Sequence, residues 1–293
     1  MNILVTGETS YVGTMLKKRI ESIRKDLKVD FLSLKQNDWE DIDFSVYDTV
    51  YHVAALVHKK EKEFSENDYY RVNTELTWKL AIKAKQDGVK QFIFLSTMAV
   101  YGHEGKIDRA IVIDKKTVPM PISLYGKTKL MAENKIRNVN SKNFKVAILR
   151  VPMIFGPNCP GNYKALREIA IRSPFFPSVK NVRSMIYIDD LSDTLIHVID
   201  KQLAGIYLVK SPQDLCVTEI INTISKFHEK FMCNSILAGW IIKKVGSNFK
   251  TTNKVFGSLI YKDEDCLDIR ELVDSTDSYR NVWKTESEYT SIN

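Results

Sequence analysis

Residues 1–14 read MNILVTGETSYVGT, a short apolar run that ends in a glycine-spaced turn and opens an amphipathic stretch. A strand that is continuously apolar, rather than alternating, is buried on both faces and belongs to a parallel sheet covered by helices on each side. QFIFLS and FKVAILR repeat the pattern. The spacing predicts strands over Asn2–Thr6, Val29–Leu34, Thr49–Val53, Gln91–Ser96 and Lys145–Arg150, with helices over Tyr11–Ile23, Tyr69–Gln86 and Ser123–Val139 between them. Strands alternating with helices give an α/β doubly wound parallel sheet.

After Arg150 the pattern loosens. VPMIFGPNCPGNY crowds prolines and glycines into a long loop. Beyond it lie a strand-like GIYLVK (205–210), a helix over Val217–Lys230, and SILAGWIIKKVG (235–246), which reads as a core or interfacial helix broken by Lys243 and Lys244. This organisation predicts a dinucleotide-binding domain over 1–155. A smaller substrate-binding lobe over 156–293 returns some strands and helices to the first sheet and sits at the sheet's carboxyl edge, where such folds bind ligands.

Composition narrows the class. At 44% hydrophobic and 27% charged residues, the 293-residue chain is an ordinary globular protein with enough length for a full core. Cys159, Cys216, Cys233 and Cys266 are widely spaced, which argues against a metal site or a disulfide framework and for a reducing compartment. No signal-peptide pattern and no stretch of roughly 18 apolar residues appears, so the expectation is a cytoplasmic protein with no membrane insertion. The net charge of +7 comes from scattered lysines, which points to a polyanionic small molecule and away from nucleic acid.

The opening turn carries Gly7, Ser10 and Gly13. In dinucleotide loops the three positions allow a tight turn, close approach of pyrophosphate, and helix–strand packing, with the phosphates on the helix N-terminus. Ser10 stands where the middle glycine is expected; it is small, and its hydroxyl can donate to a phosphate oxygen. At the end of the second strand an acid binds the ribose hydroxyl of NAD, whereas a basic residue favours NADP. Asp30 comes too early in the strand, and Ser33 and Lys35 occupy its end, which favours NADP(H) over NAD(H) unless Lys35 is only a solvated surface residue.

Tyr125 and Lys129 stand four apart in SLYGKTK, one turn apart on a helix face, and no other tyrosine in the chain has a lysine at that distance. A phenol with a pKa near 10 needs a neighbouring cation to exchange protons near neutrality. Ser96 and Thr97 end the QFIFLS strand, where a hydroxyl either caps the strand or polarises a substrate oxygen beside Tyr125.

The set VTGETSYVG, HVAA, VN at 72–73, STMAVYG, YGKTK, LRVPMIFGP and RSMIYIDDL resembles the extended short-chain dehydrogenase/reductases, specifically the nucleotide-sugar epimerase, dehydratase and ketoreductase family. The resemblance covers nearly the whole chain and implies a Rossmann domain. It also implies that Gly7, Ser10, Tyr11, Val12 and Gly13 hold the pyrophosphate, Asp38 and Trp39 lie by the adenine, and Ala54 and Ala55 run beneath the cofactor. By the same likeness Lys129 binds the nicotinamide ribose, Thr97 with neighbouring Ser96 supplies the catalytic hydroxyl, and Tyr125 transfers the proton. Asn162 and Arg183 match relatives' nucleotide-diphosphate ligands, although an arginine there also serves as a surface ion-pair residue. Relatives often dimerise through helices equivalent to Tyr69–Gln86 and Ser123–Val139, so a homodimer is in view.

Dehydratases of the family commonly place acidic residues just after the catalytic hydroxyl, and here Met98 and Ala99 follow Thr97. The resemblance therefore leaves two chemistries on a UDP-sugar. One is NADPH-dependent 4-ketoreduction of a UDP-4-keto-6-deoxy-N-acetylhexosamine for capsular or cell-surface polysaccharide precursors, towards which RSMIYIDDL and VFGSLIY point. The other is an NAD-dependent UDP-hexose or UDP-N-acetylhexosamine 4-epimerase. A non-catalytic dinucleotide sensor is a third class; such proteins often lack the tyrosine or the lysine, and this chain has both.

Overall fold

The computed structural model describes residues 1–34, 37–57, 64–107, 109–246 and 249–290. In chain order it forms β1 (Asn2–Thr6), α1 (Tyr11–Ile23), β2 (Lys28–Leu32), a 3₁₀ turn (Asn37–Asp41), β3 (Thr49–His52), α2 (Glu66–Tyr70), a π-helical turn (Arg71–Glu75) and α3 (Leu76–Gln86). There follow β4 (Gln91–Thr97), a 3₁₀ turn (Met98–Tyr101), β5 (Ile111–Ile113), α4 (Leu124–Arg137), β6 (Lys145–Val151), β7 (Met153–Phe155), α5 (Asn162–Arg172), β8 (Phe175–Pro177), β9 (Met185–Tyr187), α6 (Ile188–Asp200) and β10 (Gly205–Leu208). The chain ends in α7 (Val217–Phe227), β11 (Cys233–Ser235), α8 (Ile236–Val245), α9 (Lys250–Phe256), β12 (Leu259–Tyr261) and α10 (Ser278–Thr290).

Two compact units result. The first holds Met1–Gly102, Val118–Val151 and Ser192–Val209. Its sheet has six parallel strands in the order β10-β6-β4-β3-β1-β2. Period-two alternation divides the inward side chains: Leu4, Val50, Phe92, Phe94, Val146 and Ile148 pack with Leu80, Ala84, Ala132 and Ile136 of α3 and α4. Gly13 of α1 presses on Val5 and Phe31, which point to the other face. Helices thus cover both faces, as the continuous apolar runs predict. The strand order reverses beside β1, so the carboxyl ends of β1 and β3 form the crevice expected to take a ligand. The GIYLVK segment supplies β10, a sixth strand beside β6.

Helix starts follow local chemistry. Ser10, Ser65 and Ser123 each accept from a backbone N–H two or three residues into α1, α2 and α4, satisfying amides that have no partner within the helix. The single helix expected over 69–86 instead begins at Glu66 and carries a π turn across Arg71–Glu75.

The second unit holds His103–Thr117, Pro152–Leu191 and Lys210–Asn293. It contains the two-stranded parallel pairs β7–β9, β8–β11 and β5–β12. Phe155 packs at a tilt against the rings of Tyr163 and Tyr187 in its core, and buried Glu286 gathers Arg167, His228 and Tyr163. No helix among the described residues is long and apolar enough to cross a membrane.

Candidate active site

The turn after β1 is shaped by its glycines. Gly7 sits at φ +105°, where L side chains are strained, and a β-carbon there would meet the Ala54 nitrogen at 3.3 Å. A β-carbon on Gly13 would lie 2.8 Å from Val5 Cγ1, so only glycine lets α1 rest on β1. Ser10 closes the turn between them: its N–H donates to the Gly7 carbonyl at 2.9 Å, and its Oγ accepts from the Gly13 N–H at 3.3 Å. The Ser10 hydroxyl proton is not consumed by that cap. Val12 is buried and Tyr11 half-buried at the positive end of α1. This turn suits a pyrophosphate: small residues line it, and a helix N-terminus of 13 residues opens from it.

Past β2, Ser33 is partly exposed. Asp30 is taken up by the Tyr47 hydroxyl, whose pKa is raised by burial and then by the Asp30 charge and hydrogen bond. Lys35 and the side chain of Asp38 lie outside the described residues. Trp39 is buried in the core beside Leu32 and Phe44 rather than standing free.

Ala54 and Ala55 follow β3, and the segment is tethered just beyond them at Leu56 and Val57. Asn73, inside the π turn, accepts from the Leu56 N–H at 2.8 Å and donates to the Leu56 carbonyl at 3.0 Å and to Thr128 Oγ1 at 3.1 Å. Tyr69 donates to the Val57 carbonyl at 2.7 Å. The VN pair at 72–73 is visible in the sequence, but no spacing there assigns Asn73 a task. The extra residue of a π turn, a frequent companion of functional sites, turns this amide towards both the β3 segment and α4.

Thr97 and Tyr125 come together, with Lys129 one turn further along α4. Thr97 ends β4 and its Oγ1 accepts from the Ala99 N–H at 3.1 Å, which leaves its proton for the Tyr125 hydroxyl. Tyr125 stands in the first turn of α4. Burial of its hydroxyl pushes the phenol up to about 12, the hydrogen bond from Thr97 draws it back down, and the nearby Tyr69 hydroxyl raises it. Lys129, one turn on, is 1% exposed, with Nζ 4.0 Å over the Phe94 ring. Burial lowers its pKa to about 7, against the pull of the Glu133 charge. At neutral pH the ammonium is thus poised between its two forms, held by a ring face and a carboxylate one turn below.

Ser96 faces the opposite way, as strand alternation requires. It is 1% exposed and its hydroxyl donates to Glu133, which also receives Arg150 Nη2 at 2.6 Å; Arg150 Nη1 reaches the Tyr101 hydroxyl at 2.8 Å. Nothing in the spacing of Glu133 and Arg150 along the chain marks them as a buried pair. His52 ends β3 with both ring nitrogens bonded, to Thr6 Oγ1 at 2.5 Å and Thr77 Oγ1 at 2.9 Å, and stacks on Phe94 at 5.8 Å between centroids. Its burial, with the Lys129 charge, lowers its pKa to about 3.

In the second unit, Asn162 is exposed at the start of α5. Arg183 spends its guanidinium on backbone: Nη1 donates to the Lys254 and Gly257 carbonyls, both at 2.9 Å, and the Glu104 carbonyl lies at 3.4 Å. Burial lowers its pKa to about 10. The fork pins the turn at 104 to the 254–257 segment, instead of serving as a surface ion-pair residue.

Residues 3–209 match the NAD dependent epimerase/dehydratase family. The chain is 27% identical over 271 residues to UDP-glucose 4-epimerase of Vibrio cholerae, covering 85% of this chain and 82% of that one. UDP-glucuronic acid 4-epimerase from Bacillus cereus in complex with NAD shares the fold at a TM-score of 0.73 and 18% identity, over 100% of this chain and 99% of that one. dTDP-4-dehydrorhamnose reductase from Bacillus anthracis str. Ames in complex with NADP gives 0.71 at 17% identity, over 98% and 99%.

Proposed function

The chain belongs to the NAD dependent epimerase/dehydratase family, as an enzyme of the extended short-chain dehydrogenase/reductases that acts on nucleotide sugars, and from that premise we propose that it reduces C4 of a UDP-4-keto-6-deoxy-N-acetylhexosamine with NADPH. The observation that carries C4 oxidoreduction is the Thr97–Tyr125 hydroxyl pair with buried Lys129 one turn on in α4, and no carboxylate stands at Met98 or Ala99 to assist loss of water. The Ser33 strand end, with Asp30 engaged by Tyr47, supports NADP(H) over NAD(H).

Gly7, Ser10, Tyr11, Val12 and Gly13 hold the dinucleotide phosphates in this reading, Ser33 and Lys35 its adenosine ribose, and Ala54 and Ala55 support it from below. When bound, the nicotinamide supplies hydride. With substrate bound, the Thr97 hydroxyl turns its proton from Tyr125 to the C4 oxygen, and Tyr125 gives that oxygen a proton as negative charge develops there. Lys129 stabilises the phenolate left behind, and an anionic ligand at its side favours its protonated form. Asn162 stays available for the substrate's diphosphate; Arg183 serves it only by releasing backbone carbonyls. A homodimer through α3 and α4 fits the partly exposed Trp78 and Met131 on those helices.

A second reading, an NAD-dependent UDP-sugar 4-epimerase, is favoured by the Vibrio cholerae relative. One comparison separates them. The purified protein is given the keto sugar with NADPH or NADH, and UDP-hexoses or UDP-N-acetylhexosamines with no reductant. NADPH consumption only with the keto sugar supports the reductase. Interconversion of two UDP-sugars without added reductant, by protein that retains NAD, replaces it with the epimerase. Tyr125→Phe lowers either turnover by on the order of a hundredfold while leaving cofactor binding intact.

A further inference from the structure

Helix α8 is built inside out. Its inner face is pressed onto the chain at the end of β8: a β-carbon on Gly239 would lie 2.0 Å from the Ser178 carbonyl oxygen, so only glycine allows this approach. Its outer face carries Ile236, Leu237, Trp240, Ile241 and Val245, of which Ile236 is 80%, Leu237 69% and Trp240 57% exposed. Phe231 before the helix and Phe249 after it are exposed as well. The five positions within α8 recur at helical spacing on one side, where a surface helix ordinarily presents polar residues. A contiguous apolar patch of this kind marks a surface that meets something other than water.

Charge identifies what it meets. From Lys230 to Lys254 the chain has five lysines and no aspartate or glutamate. Lys243 and Lys244 are exposed in the last turn of α8, and Lys244 Nζ lies 5.9 Å from the Trp240 ring centre. A second copy docking face to face through a twofold axis would set these lysines against their own equivalents. An anionic lipid surface neutralises them and takes up the aromatic and aliphatic side chains at headgroup depth.

We propose that α8 docks the protein peripherally on anionic membranes, lying in the plane of the interface. The helix has 10 residues, about 15 Å, so it lies on a bilayer and does not cross it. The test uses the full chain, co-sedimented with phosphatidylglycerol–phosphatidylcholine vesicles and with phosphatidylcholine alone. The protein is expected to pellet with the anionic vesicles only and to be released at about 0.5 M salt, where surface charges are screened. Leu237→Glu with Trp240→Glu, and separately Lys243→Glu with Lys244→Glu, weaken binding about tenfold or more without lowering the melting temperature, since these side chains are exposed. Equal binding to neutral vesicles, or none to anionic ones, overturns the proposal. So does a wild-type dimer that Trp240→Glu converts to monomer in the absence of any vesicle binding.

Discussion

Gly126 and Ala99 approach so closely that a β-carbon on the glycine would lie 2.7 Å from the Ala99 carbonyl oxygen. This contact seats the first turn of α4 on the 3₁₀ turn that follows β4, and so sets Tyr125 against Thr97. Gly126→Ala forces the two apart. We expect kcat to fall about tenfold or more through misplacement of the phenol, with a stability loss of about 1–3 kcal/mol. Steady-state kinetics on a variant whose melting is followed in parallel checks this; an unchanged kcat would show that the contact does not position Tyr125.

Neighbouring hydroxyls on β4 should separate cleanly. Thr97→Val removes the donor to Tyr125 and is expected to lower kcat on the order of a hundredfold at little cost in stability. Ser96→Ala deprives buried Glu133 of a donor and costs about 1–3 kcal/mol in unfolding experiments, with turnover of the remaining folded enzyme nearly intact. The reverse pattern would move the reactive hydroxyl to Ser96.

Lys129 is held at about 7 in the fold, against an ordinary value of 10.5. Between those values the unfolded chain binds more protons than the folded one, so stability rises with pH across that window and the burial penalty is complete below pH 7. Lys129→Met should therefore be more stable than the parent at pH 6, on the order of 2–4 kcal/mol after the lost contact with Phe94, and lose that advantage towards pH 10. Turnover should collapse at every pH. Denaturant titrations at several pH values decide it, and a pH-independent difference would contradict the buried charge.

His52 has the same sign at lower pH. Its folded value of about 3 lies below the ordinary 6.5, so stability is complete above pH 6.5 and drains as pH falls towards 3. The expected slope is about 1.4 kcal/mol per pH unit. Comparing the parent with His52→Gln at pH 7 and 5 isolates this contribution, about 2 kcal/mol over that interval. Parallel losses in both proteins would mean that other groups govern acid unfolding.

The repeating units of the sheet were legible because burial on both faces leaves an unmistakable apolar run, and α1 was legible from the amphipathic stretch that opens at Tyr11, whereas the capping role of Ser10 was not. The Tyr125–Lys129 spacing and the hydroxyl of STMAVYG were legible for the same local reason. What escaped was non-local. Asn73 matters through a π turn, which has no period of its own in the sequence. Glu133 and Arg150, 17 residues apart, look like surface charges until β6 brings them together. Arg183 matched a diphosphate motif, yet its present partners are carbonyls far along the chain. SILAGWIIKKVG was apolar enough for a core, and only the packing at Gly239 decides which side is left outside.

Strand β10 arrives after an excursion of more than 50 residues and pairs with β6 along Ala147–Arg150. A fragment cut near residue 155 would consequently present β6, with its apolar run over Val146–Leu149, as a bare edge ready to recruit another chain. Gene shuffling that exchanges the two halves at that point would inherit the same exposed ladder. Viable chimaeras must carry the 192–209 stretch with the amino-terminal half, because the nucleotide sheet is woven from segments that are not adjacent in the gene.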